Sequence, residues 1–230
     1  MNEQINITLT RYPTEWDWMD CKERALVTVG KGPKNEPSKE WKEKILEARH
    51  SPIRSLRFSF KMTIPYWVSV HLARHVHAQP YILSQRNDRQ DKYDRNAARQ
   101  DEMVQMIWDM NAEELITIAQ KRLCSKAAVE TRAVVQEMRN QVCAFCPEFE
   151  HVLVPACEFD GRCHEMASCG RVSARWFFDG YAFTADSSFP IYRCSNCEGS
   201  SMATTEFCPH CGKTMFEYKP DEDPNVDDGK

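Results

Sequence analysis

The feature that most constrains this 230-residue chain is Cys194-Ser-Asn-Cys197, followed after ten residues by Cys208-Pro-His-Cys211. Each Cys-x-x-Cys turn presents two thiolates from a tight knuckle, and four thiolates at this spacing close a tetrahedral zinc shell. The segment 190–215 is therefore expected to be a zinc ribbon, with Cys194, Cys197, Cys208 and Cys211 as the metal ligands. A closed four-sulfur shell leaves no position for water, so this zinc is expected to stabilise the fold and not to catalyse. All eleven cysteines except Cys21 lie at or beyond Cys124. The start Met1-Asn2-Glu3-Gln4 has no signal-peptide core, and no apolar run approaches the roughly 18 residues of a membrane span. A cytoplasmic chain with reduced, metal-binding or buried thiols is the expectation. A looser set, Cys143, Cys146, Cys157, Cys163 and Cys169, fits either a second metal or buried structural thiols.

Charge is concentrated at the end of the chain. Six acids against two lysines occupy 217–230, which is expected to be a disordered acidic tail, while the remaining 216 residues balance at 28 acids and 28 bases. No general basic surface exists to hold duplex DNA through its phosphates, which leaves the ribbon as the only expected contact for nucleic acid. Eight glycines, of which Gly30 and Gly32 are the nearest pair, write neither a dinucleotide fingerprint nor a P-loop.

Periodicity predicts the rest of an α+β architecture: a core over residues 1–180, then the ribbon at 190–215. A short strand is expected near Ile5 to Leu9, then a polar stretch through Pro37. Ser38 is placed to cap a helix from Lys39 to Arg49. Residues 56–62 alternate Leu56, Phe58, Phe60 and Met62 with Arg57, Ser59 and Lys61, the pattern of a half-buried strand. Pro65 opens a helix expected to run from Tyr66 to His77. A polar segment, Asp88 to Arg99, precedes a helix expected from Asp101 to about Met110. Asn111 and Glu114 read as a helix cap with its reciprocal partner, and Ser125 as the cap of a further helix through Met138.

On the helix expected after Pro65, His71, Arg74 and His75 stand at i, i+3 and i+4, so they share a face and can converge on one ligand. An arginine offers a bidentate fork for phosphate, and an imidazole can donate to or stack on a planar ring. Residue type alone also suits a solvated helix face.

The run His50-Ser-Pro-Ile-Arg-Ser-Leu-Arg-Phe-Ser-Phe60, then Pro65, Arg74-His75-Val76, seven residues and Ser84-Gln-Arg86 resembles the signature region of the flavin-dependent thymidylate synthases. Asn111-Ala-Glu-Glu-Leu115, six residues, Arg122 and then Ala127-Ala-Val-Glu130-Thr-Arg132 resembles a second block of that family. The resemblance implies a mixed helix and sheet core. It implies that Arg74, Ser84, Arg86 and Arg122 contact deoxyuridylate (dUMP), with His50, Ser51, His75 and Asn111 near FAD. It also implies a homotetramer with sites between subunits, in which NADPH and methylene-tetrahydrofolate (the folate substrate) serve a reductive methylation. Met103, Met106, Ile107 and Met110 are expected to serve such an interface or the core.

Val76 stands where the motif has its second arginine, Ile82 where it has glutamate, and Glu113 where the second block has arginine. Loss of cations and gain of a carboxylate weaken an anion site. The blocks are separated only by Asn87 to Met110, shorter than in the family. Two other functions fit the same residues: a folate-dependent pyrimidine hydroxymethyltransferase without flavin reduction, and a zinc-ribbon binding module on an inactive scaffold.

Overall fold

The computed structural model describes residues 5–90, 93–161, 163–166, 169, 174–183, 187–194, 198–202, 204, 208–210 and 215–216. Cys197, Cys211 and the tail 217–230 lie outside the described residues. The chain divides into two units, Met1–Pro155 and Ala156–Lys230. Among the described residues, the paired strand residues from Ala174 onward pair with one another.

The first unit is built on a four-stranded antiparallel sheet in the order β1 (Asn6–Arg11), β2 (Arg57–Pro65), β4 (Met103–Asn111), β3 (Gln79–Ile82). Alternation gives it one apolar face: Phe58, Phe60, Met62 and Ile64 of β2 and Val104, Met106, Trp108 and Met110 of β4 are all buried. Helices α3 (Tyr66–Leu72), α4 (Ala112–Arg122) and α5 (Val129–Phe145) pack against these strands and each other. On the other face Tyr81 and Ile107 stay exposed.

The helix expected from Asp101 to Met110 is therefore strand β4. Met103, Met106, Ile107 and Met110 match a helical stripe, yet Val104, Met106, Trp108 and Met110 match a strand equally well. Pairing decides between them: β4 lies along the whole of β2, from Arg57 opposite Asn111 to Pro65 opposite Met103. That ladder buries eight apolar side chains on one face, which a lone helix here would leave without a partner sheet.

Helix α1 (Glu15–Val27) occupies the stretch read only as polar. Its sequence signal is a capping box: Asp17 N donates to Thr14 Oγ1, and Thr14 N donates to Asp17 Oδ2. Trp18 and Cys21 supply its buried side, and burial pushes the Cys21 thiol up to about 11. Ser38 caps α2 (Lys39–Glu47) as expected, accepting from Trp41 N. The helix opened by Pro65 stops at Leu72 instead of His77, since Pro80 favours an extended Gln79 and β3 begins there. The expected shared helical face of His71, Arg74 and His75 is thus replaced by one helical residue and two turn residues. Ser125 does not cap α5, which begins at Val129 after Ala128 and runs on to Phe145.

Asn111 caps α4, its Oδ1 accepting from Glu114 N at 2.9 Å. Asn111→Ala is expected to lower unfolding free energy by about 1 kcal/mol, read as a lower denaturant midpoint at unchanged m-value. An unchanged midpoint would mean the cap contributes nothing.

In the second unit a short α6 (Ala156–Phe159) precedes β5 (Ala174–Phe183), β6 (Ser188–Cys194), β7 (Ser200–Ser201) and β8 (Met215–Phe216), in the sheet order β7, β6, β5, β8. The β5–β6 register shifts between Phe178 and Gly180, where Gly180 takes φ +117°, a conformation that favours glycine. Among the described residues no helix is long and apolar enough to cross a membrane.

Candidate functional site

The turn between α3 and β3 is held by His75 N donating to Leu72 O and Ala78 N donating to His75 O. It directs the His75 ring inward beside Trp108, with ring centroids 6.2 Å apart. Arg122, at the last position of α4, reaches back to this turn: its Nε–H donates to His75 Nε2 at 3.0 Å and its Nη2–H to the His71 carbonyl at 3.1 Å. His75 Nδ1 lies 3.4 Å from Glu114 Oε1, the two side chains being 9% and 6% exposed. The His71 ring meets Thr131 at 3.4 Å and lies edge-on to Trp67.

These contacts determine the charges. Burial first, and then the Arg122 guanidinium, depress the His75 pKa to about 4, so the imidazole is neutral near pH 7. The Glu114 carboxyl is raised, mainly by burial. Arg122 is lowered by burial and by the charge of Arg74, which places a second guanidinium nearby. Among the described residues neither arginine forms an ion pair with a carboxylate. Two cations that repel each other, one of them pinned by a neutral ring, can jointly bind an anion.

Of the expected substrate residues, Arg74 and Arg122 lie close enough for their charges to interact, whereas no contact joins Ser84 or Arg86 to them among the described residues. The turn that carries Arg74 and His75 leads into β3 at Gln79, opposite Asp109, whereas Ser84 and Arg86 follow the other end of the strand, beyond the bond from Leu83 N to Gln105 O. Gln79 to Ser84 spans about 17 Å at the usual rise of an extended strand. Arg86 is exposed and forked onto Asp88, with contacts of 2.9 and 2.7 Å, and the Ser84 carbonyl accepts from Gln90 Nε2.

Of the expected cofactor residues, His50 and Ser51 are exposed where α2 passes into the 3₁₀ turn Ser51–Ser55, and Asn111 serves as a cap. His75 faces Glu114 and Arg122 instead of solvent. Arg49, with φ 46°, is in the left-handed region just before His50. Its guanidinium donates to Glu113 Oε1 and Thr117 Oγ1, both at 2.7 Å, and to Gln120 Oε1 at 3.0 Å. The carboxylate at Glu113 is thereby neutralised within the chain. Val76 is 80% exposed.

Sequence reasoning missed Arg49 and the true role of Glu114. The spacing of Glu114 from Asn111 suggested a reciprocal cap, but its carboxylate turns to His75. Arg49 carried no local signal, because its partners lie more than 60 residues away in sequence.

In the second unit, Cys194 and Cys208 are buried. Glu198 N donates to Cys194 O, and Cys194 N donates to Gly199 O. A Cβ on Gly199 would lie 2.5 Å from the His210 ring, so the backbone just after the first Cys-x-x-Cys approaches a residue of the second. Among the described residues, which include Cys143, Cys146, Cys157, Cys163 and Cys169, no three His, Cys, Asp or Glu side chains are gathered to hold a metal. Burial raises the Cys143 and Cys146 thiols, Cys146 to about 12, which keeps them protonated.

Comparison with known proteins bears on the first unit. The family model described as thymidylate synthase complementing protein matches residues 95–148, which include all of β4, α4 and α5. The fold resembles that of thymidylate synthase X from Helicobacter pylori, whose crystal structure contains FAD and dUMP. The TM-score is 0.52 at 12% identity, over 65% of this chain and 97% of that one. What the two share is the fold. No curated protein sequence matches the chain.

Proposed function

We propose that the chain is a flavin-dependent thymidylate synthase, methylating dUMP reductively to dTMP. The observation that carries this reading is that Arg122, in the segment the family model matches, feels the charge of Arg74 while neither forms an ion pair with a carboxylate among the described residues, in a fold like that of a thymidylate synthase. Arg122 retains three N–H groups beyond those given to His75 and His71, enough for a forked bond to one phosphate. Arg74 adds a second cation, and Trp67 lies edge-on to His71, whose carbonyl accepts from Arg122.

Ser84 and Arg86 belong to the same site if a second copy supplies them, since β3 carries them away from Arg122 within one chain. The proposed assembly is a homotetramer with each site shared between protomers, in the cytoplasm. Asp88 then yields Arg86 to the phosphate at small cost, because an exposed ion pair contributes little.

The residues present fit FAD at the His50–Ser51 turn and Asn111. Arg49 cancels the carboxylate of Glu113 beside that turn, which removes the repulsion a bare Glu113 would impose on a pyrophosphate. Bound FAD, reduced by NADPH, would supply the hydride that converts the one-carbon unit of the folate into the methyl group of dTMP. The chain's part is to hold the nucleotide by its phosphate and to exclude water from the buried His75 and Glu114. A visible absorbance spectrum of purified protein, with FAD added and unbound cofactor removed, tests this assignment. Retained flavin supports it, and a colourless protein favours the flavin-free transferase.

The second unit is proposed to hold one structural zinc through Cys194, Cys197, Cys208 and Cys211, supported by the approach of Gly199 to His210 and the burial of Cys194 and Cys208. Cys208→Ser is expected to release the metal and unfold 190–215 while the first unit still melts cooperatively. Less than about half an equivalent of zinc in wild-type protein, by elemental analysis, would sink this assignment.

A further inference from the structure

We propose that His75 is a positioning residue for anion binding: a neutral imidazole that accepts from Arg122 Nε–H at Nε2 and keeps its proton on Nδ1, on the side of Glu114, thereby aiming the rest of the guanidinium at the ligand. The nucleotide-binding part of this inference rests on the function proposed above; the tautomer does not.

The geometry leaves little choice of proton placement. Arg122 has only donors, so the His75 nitrogen 3.0 Å from its Nε must carry a lone pair. The ring proton then sits on Nδ1, which faces Glu114 Oε1 at 3.4 Å. The pair is nearly enclosed, and Trp108 closes the ring side. A free arginine loses much rotamer freedom when it grips a phosphate. Here His75 and the His71 carbonyl have already fixed two of its five N–H groups. A carboxylate in the place of His75 would fix the guanidinium equally well but cancel its charge and compete with the phosphate. A neutral acceptor orients the cation and leaves its charge for the ligand, while the Glu114 carboxyl, 3.4 Å from Nδ1 on the other side of the ring, favours the proton there.

The role differs from direct contact with a cofactor, which the position of His75 in the Arg-His motif suggested. It predicts a specific order among substitutions. Glutamine can place its carbonyl oxygen near Nε2 and still accept from Arg122, whereas asparagine mimics only the Nδ1 side. His75→Gln is expected to bind dUMP within about threefold of wild type, and His75→Asn about tenfold more weakly, with affinity for deoxyuridine the same in all three.

The test combines nitrogen-15 NMR of the histidine rings in wild-type protein at pH 7 with calorimetric titration of dUMP and deoxyuridine into the three proteins. A neutral Nδ1–H ring for His75, with the glutamine variant retaining affinity and the asparagine variant losing it, supports the inference. An Nε2–H or charged ring overturns it whatever the nucleotide does. Equal binding of dUMP by all three overturns the positioning role while leaving the nucleotide site in place. If wild type binds no nucleotide, the proposed function fails, and the NMR result alone decides the state of His75.

Discussion

Arg122→Ala is expected to weaken dUMP binding by about 30-fold or more, since a charge-assisted bond lost at a desolvated site costs about 2 kcal/mol. The loss should appear in the difference between nucleotide and nucleoside: deoxyuridine has no phosphate for Arg122 to hold. The substitution also leaves His75 Nε2 and the His71 carbonyl without their donor, so a fall of a few degrees in melting temperature is expected. A variant that binds dUMP as wild type does would show that Arg122 faces no ligand. Its contacts would then be purely structural.

Acid should reveal His75 through stability. Its pKa in the fold is depressed to about 4 from the ordinary value of 6.5, by burial and then by Arg122. Below pH 6.5 the unfolded chain takes up this proton while the folded chain still refuses it. The contribution of His75 is thus fully present above pH 6.5 and is lost as pH falls towards 4, amounting to on the order of 3 kcal/mol across that window. Glu114 acts in the opposite sense, because its raised pKa lets the folded state gain a proton earlier than the unfolded state as pH falls. Comparison with His75→Gln separates the two, for the variant retains Glu114, Arg74 and Arg122. Urea midpoints from pH 7 to pH 4.5 should fall more steeply for wild type than for the variant. Parallel curves would show that His75 titrates normally and is not enclosed.

The parts of this protein that were legible in its sequence are those fixed by local chemistry. Ser38 and Asn111 announce helix starts because an N-cap acts within three residues. β2 is legible because Phe58, Phe60 and Met62 alternate with polar residues over a length too short for ambiguity. The first turn of α1 carried an equally local signal in Thr14 and Asp17, hidden by the polar composition around it. β4 was illegible for a different reason: its methionines satisfy both periods, and only pairing with β2 selects one. At the site, the motif spacing pointed to Arg74, His75 and Arg122, which the fold brings together. The internal neutralisation of Glu113 by Arg49 could not be read, because the two are joined only where the chain around the 3₁₀ turn Ser51–Ser55 packs on α4. The orientation of His75 depended on where α3 ends, and that was set by Pro80 and the start of β3.

The central claim, that Arg74 and Arg122 form a phosphate site for a pyrimidine nucleotide, is tested most directly by calorimetric titration of wild-type protein with dUMP and with deoxyuridine, each with and without FAD. The account predicts saturable binding of dUMP that strengthens with FAD, and binding of deoxyuridine at least about 30-fold weaker, since the forked arginine bonds to the phosphate are missing. Equal affinity for nucleotide and nucleoside, or no binding of either, would contradict it.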